Sequence, residues 1–198
     1  MVALLLLLCA HAAPPGYAHE GQADGCELYL GPTESDGIVP MYAECVWQDT
    51  SVAALTEVLS KPGRASEVFD RVAASRVVST TGDTQRVWQK HAMTGLRDRE
   101  VMIDWRRRVV PGGVRFEWNT PSRTFAVFEE GNEPCPRYEG YWEVTSAPGG
   151  GARVKQLSLY DPGSAPSWLV RAFVGDQLAV LMKNLHDHVV GASRPPGL

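Results

Sequence analysis

The 198-residue sequence lacks an excess of either charge, since 19 Lys and Arg face 23 Asp and Glu for a formal net charge of −4. A protein that binds a phosphate backbone is expected to carry a basic excess, so we expect no nucleic-acid partner. Hydrophobic residues make up 44% of the chain, which also has six tryptophans. This composition is typical of one folded domain with a substantial core.

Catalytic and metal-binding motifs are also missing. The sequence contains no G-x-S-x-G, no H-E-x-x-H, no P-loop, no dinucleotide fingerprint and no C-x-x-C. His186 and His188 lie two positions apart on a predicted helix, where they would face different sides and could not share a metal ion. We therefore expect no cofactor, no metal site and no catalytic residue, and a protein that is not an enzyme.

Cysteine is scarce, with four residues in the chain. Cys9 lies in the apolar N-terminal run, so removal of that run would leave Cys26, Cys45 and Cys135. An odd number predicts one disulfide and one free thiol, with three possible pairings. Cys45 falls in a predicted strand, where it could equally serve as a small buried hydrophobic residue.

The N-terminus has the pattern of a secretory signal peptide. The apolar run Val2–Leu8 precedes the A-x-A site at residues 10–12, and residues 16–18 offer a second cleavage point. The run is far shorter than the roughly 20 residues that cross a bilayer. No Lys or Arg precedes it, which departs from the usual pattern. We expect residues 1–18 to be a signal peptide and the mature protein to be periplasmic or secreted.

The next part of the chain predicts an irregular lead-in followed by a strand and two short helices. Residues 19–38 are rich in Gly, Asp, Glu and Pro, whereas Val39–Trp47 alternates as a half-buried strand does. A short helix over Val52–Leu59 should end near Pro62-Gly63, and Ala65–Ala74 predicts a second one.

A meander of strands and a long helix complete the chain. Turn residues separate alternating runs at Arg76–Thr80, Thr84–Met93, Arg99–Val110, Val114–Asn119, Thr124–Glu129, Tyr138–Thr145 and Arg153–Tyr160. Apolar residues from Val170 to Val189 then recur with helical periodicity, and Gly191 marks the end of the helix. This order predicts a two-layer α+β domain over 39–191 with a disordered tail at 192–198.

Three segments resemble a bacterial START-type domain, a member of the helix-grip superfamily that includes Bet v 1-like proteins and polyketide cyclases. They are the D-R-D-like Asp98-Arg99-Glu100 leading to Trp105, Tyr141-Trp142 with the Gly-rich turn before Val154, and Asp161-Pro162-Gly163 followed by Ala165–Val170. The last has Ser164 where the family segment has a second Gly. The likeness covers roughly residues 39–190.

The resemblance implies a helix-grip fold, in which a curved antiparallel sheet wraps around the C-terminal helix. Between them a cavity would accept a lipid or another hydrophobic small molecule. The cavity candidates are Trp88, Asp104, Trp105, Trp118, Phe125, Tyr141, Trp168, Phe173 and Leu181. Any one aromatic residue is more often plain core, and Asp104 within a strand more often faces solvent.

Two other functions stay open at this point. A cyclase or aromatase on the same fold would need an acid or base in the cavity, for which Asp104, Glu117, His91 and Tyr141 are the candidates. A structural periplasmic domain without ligand would have a filled core, and a cavity below roughly 300 Å3 would favour it.

One basic run bears on partners. Arg106–Arg108, just before a hairpin turn, could contact anionic lipid headgroups in a transient membrane encounter, although such a short run is more often simply solvated. We expect a monomer.

Overall fold

The computed structural model describes residues 13–121, 129–161, 163 and 167–193, with the side chains of 167–175 and 193 excluded. The described residues form one twisted sheet with a long helix across it. Three predicted segments lie partly outside them: residues 124–128 of the strand Thr124–Glu129, residues 194–198 of the tail, and residues 1–12 of the signal peptide. Residues 192 and 193 of the expected tail are helical.

The sheet contains ten strands in the described part of the chain. They are β1 Ala18–Ala23, β2 Cys26–Leu30, β3 Met41–Trp47, β4 Val72–Thr81, β5 Thr84–His91, β6 Arg99–Val110, β7 Gly113–Asn119, β8 Glu133–Pro134, β9 Arg137–Ser146 and β10 Ala152–Asp161. Their order is β1-β2-β3-β10-β9-β7-β6-β5-β4, and β8 pairs with β6 outside this path. All pairs are antiparallel except β6 with β8.

The helices are α1 Val52–Leu59, a short 3₁₀ segment Pro62–Glu67, and α2 Ser167–Ser193. The side chain of Ser51 caps α1 by accepting a hydrogen bond from the Ala54 amide at 3.1 Å. Leu178, Met182, Leu185 and Val189 of α2 are all buried, which confirms that the periodic stripe faces the protein interior. The expected α+β helix-grip architecture is therefore confirmed.

Two expectations about secondary structure are wrong. The lead-in is not irregular throughout: residues 19–30 belong to the hairpin of β1 and β2, and β2 pairs with β3, whereas residues 31–38 contain no strand. The hairpin's turn residues Asp24 and Gly25 have φ of 48° and 74°, the left-handed conformations that a tight hairpin requires. The second helix over Ala65–Ala74 is also absent: the 3₁₀ segment ends at Glu67, and Val72 already pairs with β5.

The structure assigns the disulfide that the sequence left open. Cys26 and Cys45 are directly opposite each other on β2 and β3, and they form a disulfide across a sequence separation of 19 residues. Cys135 is a buried free thiol. The bond therefore fastens the β1–β2 hairpin to the rest of the sheet.

Removing the disulfide should destabilise the protein moderately. Replacing both Cys26 and Cys45 with alanine is expected to lower the free energy of unfolding by about 2–3 kcal/mol, because the unfolded chain regains the freedom of a short closed loop. Denaturant unfolding of the wild type with and without reductant would measure the effect. The double variant should show no response to reductant, and an equal response in both proteins would contradict the assignment.

Candidate functional site

A cavity of about 230 Å3 lies between the inner face of the sheet and α2. Its walls come from the sheet, from α1 and the 3₁₀ segment, and from the middle of α2. Apolar side chains dominate the lining, among them Leu59, Phe69, Ile103, Trp142 and Leu178. The sheet and the helix therefore do not meet in a completely filled core.

The size of the cavity limits what it can hold. Its 230 Å3 is below the roughly 300 Å3 at which ordinary ligand sites begin, so by size alone the alternative of a structural domain without ligand is favoured. A guest would have to be small.

One end of the cavity is polar. Gln89 and His91 reach it from β5, Tyr138 from β9, and Ser158 and Tyr160 from β10. The ring of His91 stacks on Tyr160, with centroids 5.4 Å apart, and meets the edge of Tyr138 at 5.2 Å. These aromatic contacts hold the imidazole in one orientation.

The hydrogen bond of His91 determines which of its nitrogens can accept. Nε2 lies 3.0 Å from Oε1 of Gln89, and an amide oxygen can only accept a hydrogen bond. We therefore assign the ring proton to Nε2, which leaves Nδ1 of the neutral ring as an acceptor. Gln89 keeps its amide NH2 group as a donor.

This end of the cavity is uncharged near neutral pH. Burial lowers the pKa of His91 to about 4 and raises the pKa of Tyr138 and of Tyr160 above the ordinary tyrosine value. Among the described lining residues, the ionised side chains are Lys61 and Arg71, and both are exposed at the rim.

The thiol of Cys135 is behind the polar end. Burial raises its pKa to about 12, and the sulfur lies 3.1 Å from the carbonyl oxygen of Asp161 and 3.3 Å from that of Arg137, either of which can accept the thiol proton. A thiol that stays protonated near neutral pH is a poor nucleophile. Cys135 therefore has a packing role.

Of the expected cavity residues, Trp105 and Leu181 line the space. Trp118 lies beside Trp105 on the same face, with the two rings stacked at 5.3 Å. Gly140, opposite Trp118 on β9, makes room for that ring: a Cβ there would be 2.9 Å from Trp118 Cζ2. Trp118 supports the wall behind Trp105.

Three expected residues lie on the outer face of the sheet, which corrects their placement. Trp88 donates from Nε1 to Glu100 at 2.9 Å, Asp104 pairs with Arg86 at 2.8 Å, and the Arg115 guanidinium lies over the Tyr141 ring at 4.1 Å. Successive side chains of a strand point to opposite faces, and the neighbours Gln89, Trp105 and Trp142 face the cavity.

The remaining expected residues lie outside what the structure describes: Phe125, and the side chains of Trp168 and Phe173. Glu117 is on the outer face, where it pairs with Arg108 at 2.8 Å. Four residues at the polar end of the cavity were not expected: Gln89, Tyr138, Ser158 and Tyr160. Thr94, Gln177 and Asn184 are further uncharged polar residues of the lining that were not expected. The alternation of Thr84–Met93 already placed Gln89 and His91 on one face, which was the available signal.

Metal and membrane sites find no support in the described ranges. No group of three or more His, Cys, Asp and Glu side chains there could hold a metal ion. Within the same ranges, no helix combines the length and apolar character needed to cross a membrane. His186 instead contacts Asp49 at 2.9 Å and stacks on Trp47.

Comparison with known proteins finds similarity in structure only. No family model matches the sequence, and no curated protein matches it. A STAR-related lipid transfer protein from Xanthomonas axonopodis is 19% identical, with 88% of this chain and 98% of that chain covered and a TM-score of 0.77. Human StAR-related lipid transfer protein 5 is 11% identical, with coverages of 92% and 90% and a TM-score of 0.81.

Enzymes share the architecture as well. An aromatase/cyclase from a Streptomyces species is 11% identical, with 80% of this chain and 98% of that chain covered and a TM-score of 0.57. At such identities the likeness shows the fold alone: this chain has the START or helix-grip fold. The choice between carrier and enzyme must come from the residues of the cavity.

Proposed function

We propose that this protein binds a lipid-like or other hydrophobic small molecule in the cavity between the sheet and α2, as a binding protein and not as an enzyme. The observation that carries the proposal is an apolar cavity with one uncharged polar end. Such a combination of apolar walls and a few polar groups is typical of ligand sites. Burial of apolar guest surface, at about 25 cal/mol per Å2, would drive binding.

Fluorescent displacement tests the proposal. 1-Aminonaphthalene, a neutral fluorescent dye with a single ring system, should bind the wild-type protein and be displaced by a lipid extract. Leu181→Trp places an indole in the cavity and should weaken dye binding by about tenfold or more. Val109→Trp adds the same indole at a hairpin position that is 80% exposed and should change nothing.

Three negative results together would overturn the proposed binding function. If the dye and the extract both fail to bind, and native mass spectrometry of the purified protein finds no accompanying small molecule, the protein is a structural domain without ligand. The small cavity volume would then have indicated the function more reliably than the character of the cavity lining. Equal dye binding by Leu181→Trp and the wild type would place any bound dye elsewhere.

An aromatase/cyclase-type enzyme is the second candidate. Among the four acid–base candidates, His91 is the one that the structure brings to the cavity, while Asp104, Glu117 and Tyr141 lie on the outer face. A base whose pKa is about 4 is poorly matched to proton transfer near pH 7. This mismatch favours binding over catalysis.

We also propose export from the cytoplasm. The N-terminal apolar run and its A-x-A site motivate this proposal, and the Cys26–Cys45 disulfide supports it because such bonds persist in oxidising compartments. Expression of the full chain in a bacterial host and N-terminal sequencing of the periplasmic fraction would test it. An uncut chain confined to the cytoplasm would contradict it.

A further inference from the structure

We propose that the preferred guest is a small, uncharged molecule with a hydroxyl group, and that this hydroxyl lies against His91 and Gln89 at the polar end of the cavity. The inference rests on the proposed binding function and goes further by naming the chemical class of the ligand. Three independent properties of the site support it: its volume, its lack of charge, and its hydrogen-bonding pattern.

The volume favours small guests. At about 230 Å3, the cavity has room for a short chain or a single ring system. A phospholipid with two acyl chains could enter only if the sheet and α2 moved well apart. The described wall is anchored against such movement by the fully buried residues Leu178, Met182 and Leu185.

The electrostatics favour a neutral guest. Arg99, opposite His91 on β6, is almost completely buried and pairs with Glu133 at 3.1 Å, so the nearest buried cation already has a carboxylate partner. The charged lining side chains, Lys61 and Arg71, remain at the exposed rim. An ionised head group at the polar end would be buried without a counter-ion, which is costly.

The hydrogen-bonding pattern favours a hydroxyl. Nδ1 of His91 is an acceptor, the amide NH2 group of Gln89 is a donor, and the nearby Ser158 hydroxyl can be either. A hydroxyl donates one hydrogen bond and accepts others, so it can satisfy both kinds of partner. An ether or a ketone can only accept and would leave Nδ1 without a donor, so it should bind more weakly.

A set of matched probes tests this inference without any variant. Octan-1-ol and its isomer 1-methoxyheptane have the same atoms and nearly the same volume, but only the alcohol donates a hydrogen bond. Octanoate has a similar chain and a negative charge. In competition with 1-aminonaphthalene at pH 7.5, we expect octan-1-ol to bind about fivefold more tightly than the ether, and to exceed octanoate by a larger factor.

A variant locates the effect. His91→Phe keeps a flat ring but loses the acceptor, so octan-1-ol and 1-methoxyheptane should bind it with nearly equal affinity. Val109→Phe introduces the same residue at the exposed hairpin position, outside the cavity, and should keep the fivefold preference. If His91→Phe does not fold, the comparison of the three probes on the wild type still decides the question.

Each failure has a distinct meaning. Equal binding of the alcohol and the ether by the wild type would overturn the hydroxyl assignment and leave the proposed binding of hydrophobic molecules standing. Octanoate binding as tightly as octan-1-ol would overturn the assignment of a neutral guest. Failure of the dye and all three probes to bind would overturn the proposed function itself.

Discussion

Replacing Glu100 with alanine should lower the free energy of unfolding by about 4 kcal/mol, the largest effect that we expect from one substitution here. The carboxylate is fully buried. Its Oε2 accepts from Nε1 of Trp88 at 2.9 Å, while its Oε1 accepts from the Glu129 amide at 2.9 Å and from Nδ2 of Asn132 at 2.8 Å. The variant leaves all three donors without this acceptor.

Denaturant unfolding measures this effect, and the loop that contains Glu129 and Asn132 offers a control. Glu130→Gln also removes a carboxylate, but Glu130 is exposed, so its unfolding free energy should stay within about 0.5 kcal/mol of the wild type. Glu100→Gln retains one acceptor oxygen and should fall between the two. Similar stabilities of Glu100→Ala and Glu130→Gln would show that the buried network does not stabilise the fold.

Acidification should destabilise the protein through His91 by about 3 kcal/mol between pH 7 and pH 4. The pKa of His91 is lowered from 6.5 to about 4 by burial, so the unfolded chain takes up a proton at a higher pH than the folded chain does. The stabilisation is fully present above pH 6.5 and is lost as the pH falls towards 4. Below that pH the folded form is protonated too, and the loss stops growing.

The difference between two proteins isolates this contribution. The free energy of unfolding is measured at several pH values for the wild type and for His91→Phe. Every carboxylate titrates in both proteins, so the difference between the two free energies gives the contribution of His91. The ionisable groups facing His91 are Tyr138 and Tyr160, whose pKa values are raised and which stay neutral here, and Arg99, which pairs with Glu133. A difference independent of pH would contradict the buried neutral imidazole.

Local patterns in the sequence predicted most of the architecture. The apolar stripe from Val170 to Val189 needed no tertiary information, because only one face of α2 can be buried. The hairpin at Asp24-Gly25 was missed although its D-G turn signal was present, because the surrounding Gly and acidic residues were interpreted as an irregular segment. The Ala65–Ala74 segment was misassigned because pairing with β5 outweighs weak helix propensity.

The cavity was harder to predict because it depends on which face of each strand turns inward. Trp105 and Asp104 are adjacent in the chain, yet one lines the cavity and the other pairs with Arg86 outside. A shift of one residue in register would exchange them, and aromatic character does not indicate the face. Trp88 and Tyr141 were misplaced for this reason.

The pairing of β3 with β10 has a consequence for how the molecule assembles. Met41 is opposite Ser158, and Trp47 is opposite Ala152, so strands from the two ends of the domain become neighbours. Contacts this distant in the chain close slowly, and a ribosome must make more than a hundred further residues before β3 gains this partner. The part of the sheet formed by β3 and β10 is therefore completed late in synthesis. Until then the nascent N-terminal half carries an unpaired strand edge, which a chaperone would have to shield.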